Sequence, residues 1–107
     1  MPFIDTGNGR LHYQVDGADD APVLVMSNSL GTTLDMWLPQ MPALVEHFRV
    51  VRYDTRGHGQ SDVTPGPYSI AQLGSDVVAL MDYLKIPRAH FCGLSMGGMT
   101  GIWLGIH

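Results

Sequence analysis

The sequence has few of the features that mark secreted, membrane-bound or disulfide-linked proteins. Its one cysteine, Cys92, excludes a disulfide within the chain and fits a reducing compartment. The first residues have no basic segment followed by an apolar one, as a signal peptide would. No apolar run approaches the roughly 20 residues that a membrane span needs. We therefore expect a cytoplasmic protein with no membrane partner.

Positive charge and metal-ligand patterns are also scarce. Six Lys and Arg are scattered among 107 residues, against ten Asp and Glu. Nucleic acids and anionic membranes are bound by clustered Lys and Arg, so we expect no nucleic-acid partner. The five histidines lack metal-ligand spacing, and the chain has neither a G-x-G-x-x-G nor a P-loop pattern. We expect no metal and no cofactor.

The chain does contain alternating strand and helix patterns in an ordinary globular composition that is 45% apolar. Strands are predicted at 3–5, 11–16, 22–27, 48–53 and 89–94. Helices are predicted at about 36–46, interrupted by Pro39 and Pro42, at 69–84 with Ser69 as its N-cap, and at 96–107. The first two strands form a predicted hairpin across Gly7-Asn8-Gly9. The later ones are mainly apolar, as in a buried parallel sheet, with Arg49 and Arg52 as the exceptions in 48–53. This order predicts an α/β fold in which an antiparallel hairpin precedes a parallel β-α-β-α-β-α, doubly wound sheet.

The segment Gly93-Leu94-Ser95-Met96-Gly97 matches the pattern G-x-S-x-G. A predicted strand precedes it and a predicted helix follows it, which is the context of a serine nucleophile on a sharp turn. We therefore predict that Ser95 is a catalytic nucleophile; the alternative is a glycine-rich turn with an incidental serine. Acyl transfer also needs amides that stabilise an oxyanion, and we predict those of Met96 and Leu30.

A second segment, Asp54 to Ser61, contains an Asp, a His and a Ser within eight residues. These residues lie too close along one loop to converge from separate elements. We predict that His58 holds the loop by hydrogen bonds and that Cys92 is a packing residue.

The residues that would activate Ser95 are not in this sequence. After Ser95 there is no Asp or Glu, and the one later histidine is His107. α/β-Hydrolases place the acid and then the histidine after the serine. We therefore expect residues 1–107 to be the N-terminal portion of a single domain, severed before its cap and catalytic Asp and His, and inactive alone.

The chain resembles the α/β-hydrolase family over its whole length, and within it most closely the 3-oxoadipate enol-lactonases of the β-ketoadipate pathway of aromatic-compound degradation. The resemblance is carried by Ser27–Gly31 with Met36-Trp37, by Arg52–Gly59 and by Phe91–Met99. Many relatives have a His-Gly pair where this chain has Asn28-Ser29.

The resemblance implies a cofactor-independent hydrolase in which Ser95 attacks the carbonyl of 3-oxoadipate enol-lactone. The amides of Leu30 and Met96 would hold the oxyanion, and water would release 3-oxoadipate. The substrate would be a small anionic lactone or ester. Arg56 is the nearest candidate cation for it by sequence, but we expect Arg56 to form a structural salt bridge instead.

Two other functions stay open. One is a general carboxylesterase or cofactor-free perhydrolase of the same fold. The other is a non-catalytic fragment that needs a complementing C-terminal segment or forms a homo-oligomer, because the apolar strand 89–94 would lie at an exposed sheet edge.

Overall fold

In the part of the chain that the structure describes, the fold is a five-stranded sheet with helices on both faces. The computed structural model describes residues 3–5, 9–29, 32–59, 61 and 69–106. Its strands are β1 (Phe3–Asp5), β2 (Arg10–Asp16), β3 (Val23–Ser27), β4 (Arg49–Tyr53) and β5 (His90–Gly93). A 3-10 helix (Leu34–Gln40) runs into α1 (Met41–Leu44), followed by α2 (Ile70–Tyr83) and α3 (Met96–Ile106).

The strands are arranged in the order β1-β2-β4-β3-β5. β1 pairs antiparallel with β2, and β2 with β4, whereas β3 runs parallel to both β4 and β5. This confirms the predicted α/β fold with a hairpin ahead of a parallel sheet; turn residues Gly7 and Asn8 lie outside the described residues. Because β3, β4 and β5 are parallel, their carboxyl ends meet at one edge of the sheet. The loops that carry the predicted site residues begin at this edge.

Each face of the sheet has its own apolar cluster. On the side of α2 and α3 the core includes Val25, Val51, Tyr53, Val77 and Leu80. On the other side Leu24, Met26 and Val50 pack with Trp37 and Met41. Successive residues of β3 and β4 therefore point into opposite clusters, which explains why Leu24–Met26 and Val50-Val51 are apolar without alternation, whereas β4 also contains Arg49 and Arg52.

The start of α2 is fixed by a capping box. The Gln72 amide donates to Ser69 Oγ at 3.1 Å, and the Ser69 amide donates to Gln72 Oε1 at 2.8 Å. These two bonds satisfy amides that the helix cannot pair internally, a contribution of about 1 kcal/mol. The prediction that Ser69 caps this helix is confirmed.

The predicted helix at 36–46 differs in the structure. A 3-10 helix occupies Leu34–Gln40, and only Met41–Leu44 are α-helical. Pro39 and Pro42 have no amide hydrogen to donate, so a regular α-helix cannot run through both positions. The Thr33 hydroxyl accepts the Asp35 amide at 3.3 Å and caps the 3-10 segment instead.

A buried ion pair ties the loop after β4 to α2. Arg56 Nε lies 2.9 Å from Asp76 Oδ2, and Arg56 Nη2 lies 2.6 Å from Asp76 Oδ1. Both side chains are buried, and the two parallel bonds use the planar guanidinium. The structural salt bridge expected for Arg56 is therefore confirmed, with Asp76 as the partner.

Replacing Asp76 with Ala is expected to destabilise the fold by about 3 kcal/mol, because Arg56 would keep a buried charge without its carboxylate partner. Urea unfolding measures this loss. The double variant Arg56→Met/Asp76→Leu should recover much of the stability. Equal losses in the single and double variants would contradict the ion-pair explanation.

Candidate active site

Ser95 lies on the turn between β5 and α3, at the carboxyl edge of the sheet. Its φ angle is 58°, in the left-handed region that residues with a Cβ seldom adopt. Such a conformation costs roughly 1–3 kcal/mol and persists only where surrounding structure enforces it. Ser95 is exposed despite this constraint. The geometry is that of a nucleophile elbow, which presents a hydroxyl to solvent above the sheet.

Close backbone contacts hold the turn in this shape. A Cβ added to Gly93 would collide with the backbone of Gly97, and one added to Gly97 would collide with the backbone of Ser27. α3 therefore starts directly against the ends of β5 and β3. Both glycines of the G-x-S-x-G pattern are required by this packing and not only by local turn geometry.

Hydrogen bonds complete the turn. The Leu94 amide donates to the Ser27 carbonyl at 3.2 Å, and the Gly97 amide donates to the Leu94 carbonyl at 3.1 Å. Met96 is the first residue of α3, so α3 offers its amide no acceptor. The structure thus places the predicted donor Met96 next to Ser95 at the positive end of a helix. The other predicted donor, Leu30, lies outside the described residues.

A buried polar network that was not predicted lies beneath the elbow. Ser27 Oγ shares a hydrogen bond of 2.7 Å with the Tyr53 hydroxyl. Asn28 Nδ2 donates to the Tyr53 carbonyl at 2.8 Å, and Trp37 Nε1 donates to Asn28 Oδ1 at 2.7 Å. The signal available in the sequence was the polar run Ser27-Asn28-Ser29 at the end of an apolar strand. It could not reveal the partners, which lie 9 to 26 residues away.

The Tyr53 hydroxyl is kept neutral by its surroundings. Burial raises the pKa of Tyr53 to about 12; the Ser27 hydrogen bond lowers it in part, and the negative charge of Asp76 adds to the rise. Tyr53 therefore keeps its proton well into the alkaline range and acts as a neutral hydrogen-bonding partner of Ser27.

Asp54 forms a second buried junction at the same edge. Its Oδ2 lies 2.8 Å from His12 Nδ1, and its Oδ1 accepts the Leu34 amide at 2.7 Å. Ser61 Oγ donates to the Asp54 carbonyl at 2.6 Å and accepts the His12 amide at 2.9 Å. Asp54 thus joins β2, the 3-10 helix and its own loop. These contacts account for Asp54 and Ser61 without a catalytic role.

The remaining candidates are placed as follows. His58 Nδ1 lies 3.1 Å from the Arg56 carbonyl, which holds the loop as predicted, and Cys92 is half-buried on β5. In the described residues, no group of three or more His, Cys, Asp or Glu could hold a metal ion. No helix in this part of the chain is both long and apolar enough to cross a membrane.

Comparison with known proteins places these features in a family. Residues 22–106 match the family model described as alpha/beta hydrolase fold. The chain is 56% identical over 97 residues to 3-oxoadipate enol-lactonase 2 of Acinetobacter baylyi. The aligned region covers 91% of this chain and 36% of that protein.

Two solved structures are similar as well. The enol-lactonase from Burkholderia xenovorans LB400 superposes with a TM-score of 0.94 at 59% identity, over 96% of this chain and 40% of that one. Est816, an N-acyl homoserine lactone degrading enzyme, superposes with a TM-score of 0.91 at 32% identity, over 98% and 40%. The chain therefore spans little more than a third of the length of these relatives.

Replacing Gly97 with Ala is expected to destabilise the protein by roughly 1–3 kcal/mol, because the added methyl group overlaps the Ser27 backbone. Gly98→Ala is the matched control: its added Cβ would lie 3.6 Å from the Gly93 carbonyl oxygen, an ordinary contact. That variant should be stabilised by up to about 1 kcal/mol through helix propensity. Urea unfolding of both variants measures the difference, and equal effects would refute the proposed close approach.

Tyr53 should make folding stability depend on alkaline pH. An unfolded tyrosine titrates near 10.0, whereas burial raises the folded pKa to about 12. The stability is therefore complete below pH 10 and is lost as the pH rises towards 12, by about 2–3 kcal/mol. Urea unfolding at pH 9 and pH 11.5 should show a smaller decline for Tyr53→Phe than for the unaltered protein. Parallel declines would assign the loss to other groups.

Proposed function

This chain belongs to the α/β-hydrolase family, and we propose that it forms the part of a lactonase that carries the nucleophile, Ser95. The observation that carries the proposal is the exposed Ser95 at φ 58°, on a turn that Gly97 packs against Ser27 and that is followed at once by a helix N-terminus. The 56% identity to an enol-lactonase supports 3-oxoadipate enol-lactone as the substrate. The activity belongs to the full-length protein, meaning a polypeptide in which this chain is continued as in its relatives.

In the proposed reaction, Ser95 Oγ attacks the lactone carbonyl while a histidine outside this sequence takes the hydroxyl proton. The ring C–O bond breaks, the same proton passes to the leaving enol oxygen, and the enol tautomerises to a ketone. Water then attacks the acyl-enzyme, which releases 3-oxoadipate and restores Ser95. No redox step or cofactor is involved.

The amides of Met96 and Leu30 are the proposed oxyanion donors. The Met96 amide is supported by its place at the start of α3, directly after Ser95. The Leu30 amide is proposed from the sequence alone, because Leu30 comes three residues after Ser27, the end of β3 that contacts the elbow. Each donor of this kind typically contributes about 10²–10³ in rate.

Two features restrict where the remaining parts of the site come from. Arg56 is engaged by Asp76 in a buried bidentate pair, so a cation for the anionic substrate must come from another residue. After Ser95 this sequence has no Asp or Glu. We therefore propose that residues 1–107 alone are inactive and that the acid, the base and the cap belong to the rest of the full-length protein.

Replacing Ser95 with Ala in the full-length protein should lower kcat for enol-lactone hydrolysis by about 10⁴-fold or more, because no other group can form the acyl-enzyme. Ser75→Ala, on the exposed side of α2, is the matched control and should keep full activity. Retention of activity by Ser95→Ala would refute the proposed nucleophile.

The substrate is tested separately, with 3-oxoadipate enol-lactone compared against p-nitrophenyl acetate. A higher kcat/KM for the enol-lactone supports the lactonase. A preference for the simple ester by orders of magnitude would replace it with a general carboxylesterase or perhydrolase. Activity of residues 1–107 alone would contradict the proposed division of the site.

A further inference from the structure

Asn28 is fully buried, and both ends of its side-chain amide are used. Its Oδ1 accepts the Trp37 indole N–H at 2.7 Å, and its Nδ2 donates to the Tyr53 carbonyl at 2.8 Å. The amide therefore links the 3-10 helix to the end of β4. A buried side-chain amide that accepts one hydrogen bond and donates another is held in one orientation. Any other orientation would leave its buried polar partners unpaired, which costs free energy.

The position of Asn28 connects this bridge to the elbow. The preceding residue, Ser27, accepts the Leu94 amide and packs against Gly97. Asn28 is thus one residue from the contacts that hold the turn of Ser95. It is also the first residue of the loop that leaves β3 at the carboxyl edge.

A second set of contacts joins this loop to the same 3-10 helix. The Thr32 hydroxyl lies 3.1 Å from the Met36 sulfur, and the Ser29 amide lies 3.5 Å from it. Met36 and Trp37 are adjacent on the helix. The Met36 sulfur contacts Ser29 and Thr32, and the Trp37 indole binds Asn28. The Asn28 amide is the part of this support that reaches across to β4.

We propose that Asn28 is a positioning residue for the hydrolytic reaction: its amide fixes the direction in which the backbone leaves β3 beside Ser95. This inference rests on the proposed function. Oxyanion donors act only when they are held close to the position of the developing charge, and small displacements lose much of the rate. Asn28 does not touch the substrate; it acts through the backbone that follows Ser27.

The test compares Asn28→Ala, Asn28→Asp and Trp37→Phe in the full-length protein. Asn28→Asp keeps the shape but replaces the donor with a charged acceptor against the Tyr53 carbonyl, and Trp37→Phe removes the other hydrogen bond. We expect kcat to fall about 10–100-fold for both Asn28 variants and about 3–10-fold for Trp37→Phe, with KM within threefold.

A trifluoromethyl ketone, which forms a tetrahedral adduct with a serine, provides a readout that a purely structural role would not change. Its affinity should fall by the same factor as kcat, whereas inhibition by 3-oxoadipate should be unaltered. The double variant Asn28→Ala/Trp37→Phe should lose little more of its kcat than Asn28→Ala, because Asn28→Ala already removes the hydrogen bond to Trp37. Leu38→Ala, on the same helix but 53% exposed, is the control and should match the unaltered protein.

Reduced melting temperatures with unaltered kcat and inhibitor affinity would overturn the proposal. If the Asn28 variants do not fold, Trp37→Phe alone decides, and an unchanged kcat in that variant has the same meaning. The proposed function fails in a different way, through an inactive unaltered protein or an active Ser95→Ala variant.

Discussion

The contact between Gly97 and the backbone of Ser27 is the constraint on which the candidate site depends. It brings the first turn of α3 against the end of β3, so the chain must turn sharply after β5. Ser95 occupies that turn with a φ of 58° and stays exposed above the sheet edge. A side chain at position 97 would force the helix away and relax the turn. The exposed position of Ser95 on this turn therefore depends on residue 97 having no side chain.

Buried polar groups make the carboxyl edge of the sheet equally specific. Asn28 and Asp54 follow the ends of β3 and β4, and each joins segments that are far apart in sequence. A hydrogen bond of this kind adds about 1 kcal/mol, yet a missing partner in a buried site costs more. Such networks favour a single arrangement of the loops. They hold the elbow, the 3-10 helix and the loop after β4 in one relative geometry.

Much of this fold is predictable from the sequence, because its signals are local. The apolar strands and the Ser69 cap depend on residues within a few positions of one another, and the G-x-S-x-G pattern is only five residues long, although the contact of Gly97 with Ser27 is not local. The segment 36–46 was predicted to be helical with interruptions at Pro39 and Pro42, but the 3-10 geometry of Leu34–Gln40 was not predicted. The salt bridge of Arg56 was predicted, but its partner Asp76, 20 residues away, was not. The Asn28 and Asp54 networks were also missed, because hydrogen bonds between residues far apart in the chain produce no periodic pattern in the sequence.

A nucleophilic Ser95 must form a covalent acyl-enzyme, and trapping that intermediate is the decisive measurement. The full-length protein would be mixed with excess enol-lactone, quenched in acid within milliseconds and digested, and the peptide that begins at Ala89 would be analysed by mass spectrometry. Ser95 is expected to carry the mass of the opened lactone, and the adduct is expected to disappear once substrate is exhausted. An adduct on any other residue, or turnover with no adduct at any quench time and no labelling of Ser95 by a fluorophosphonate, would contradict a nucleophilic Ser95.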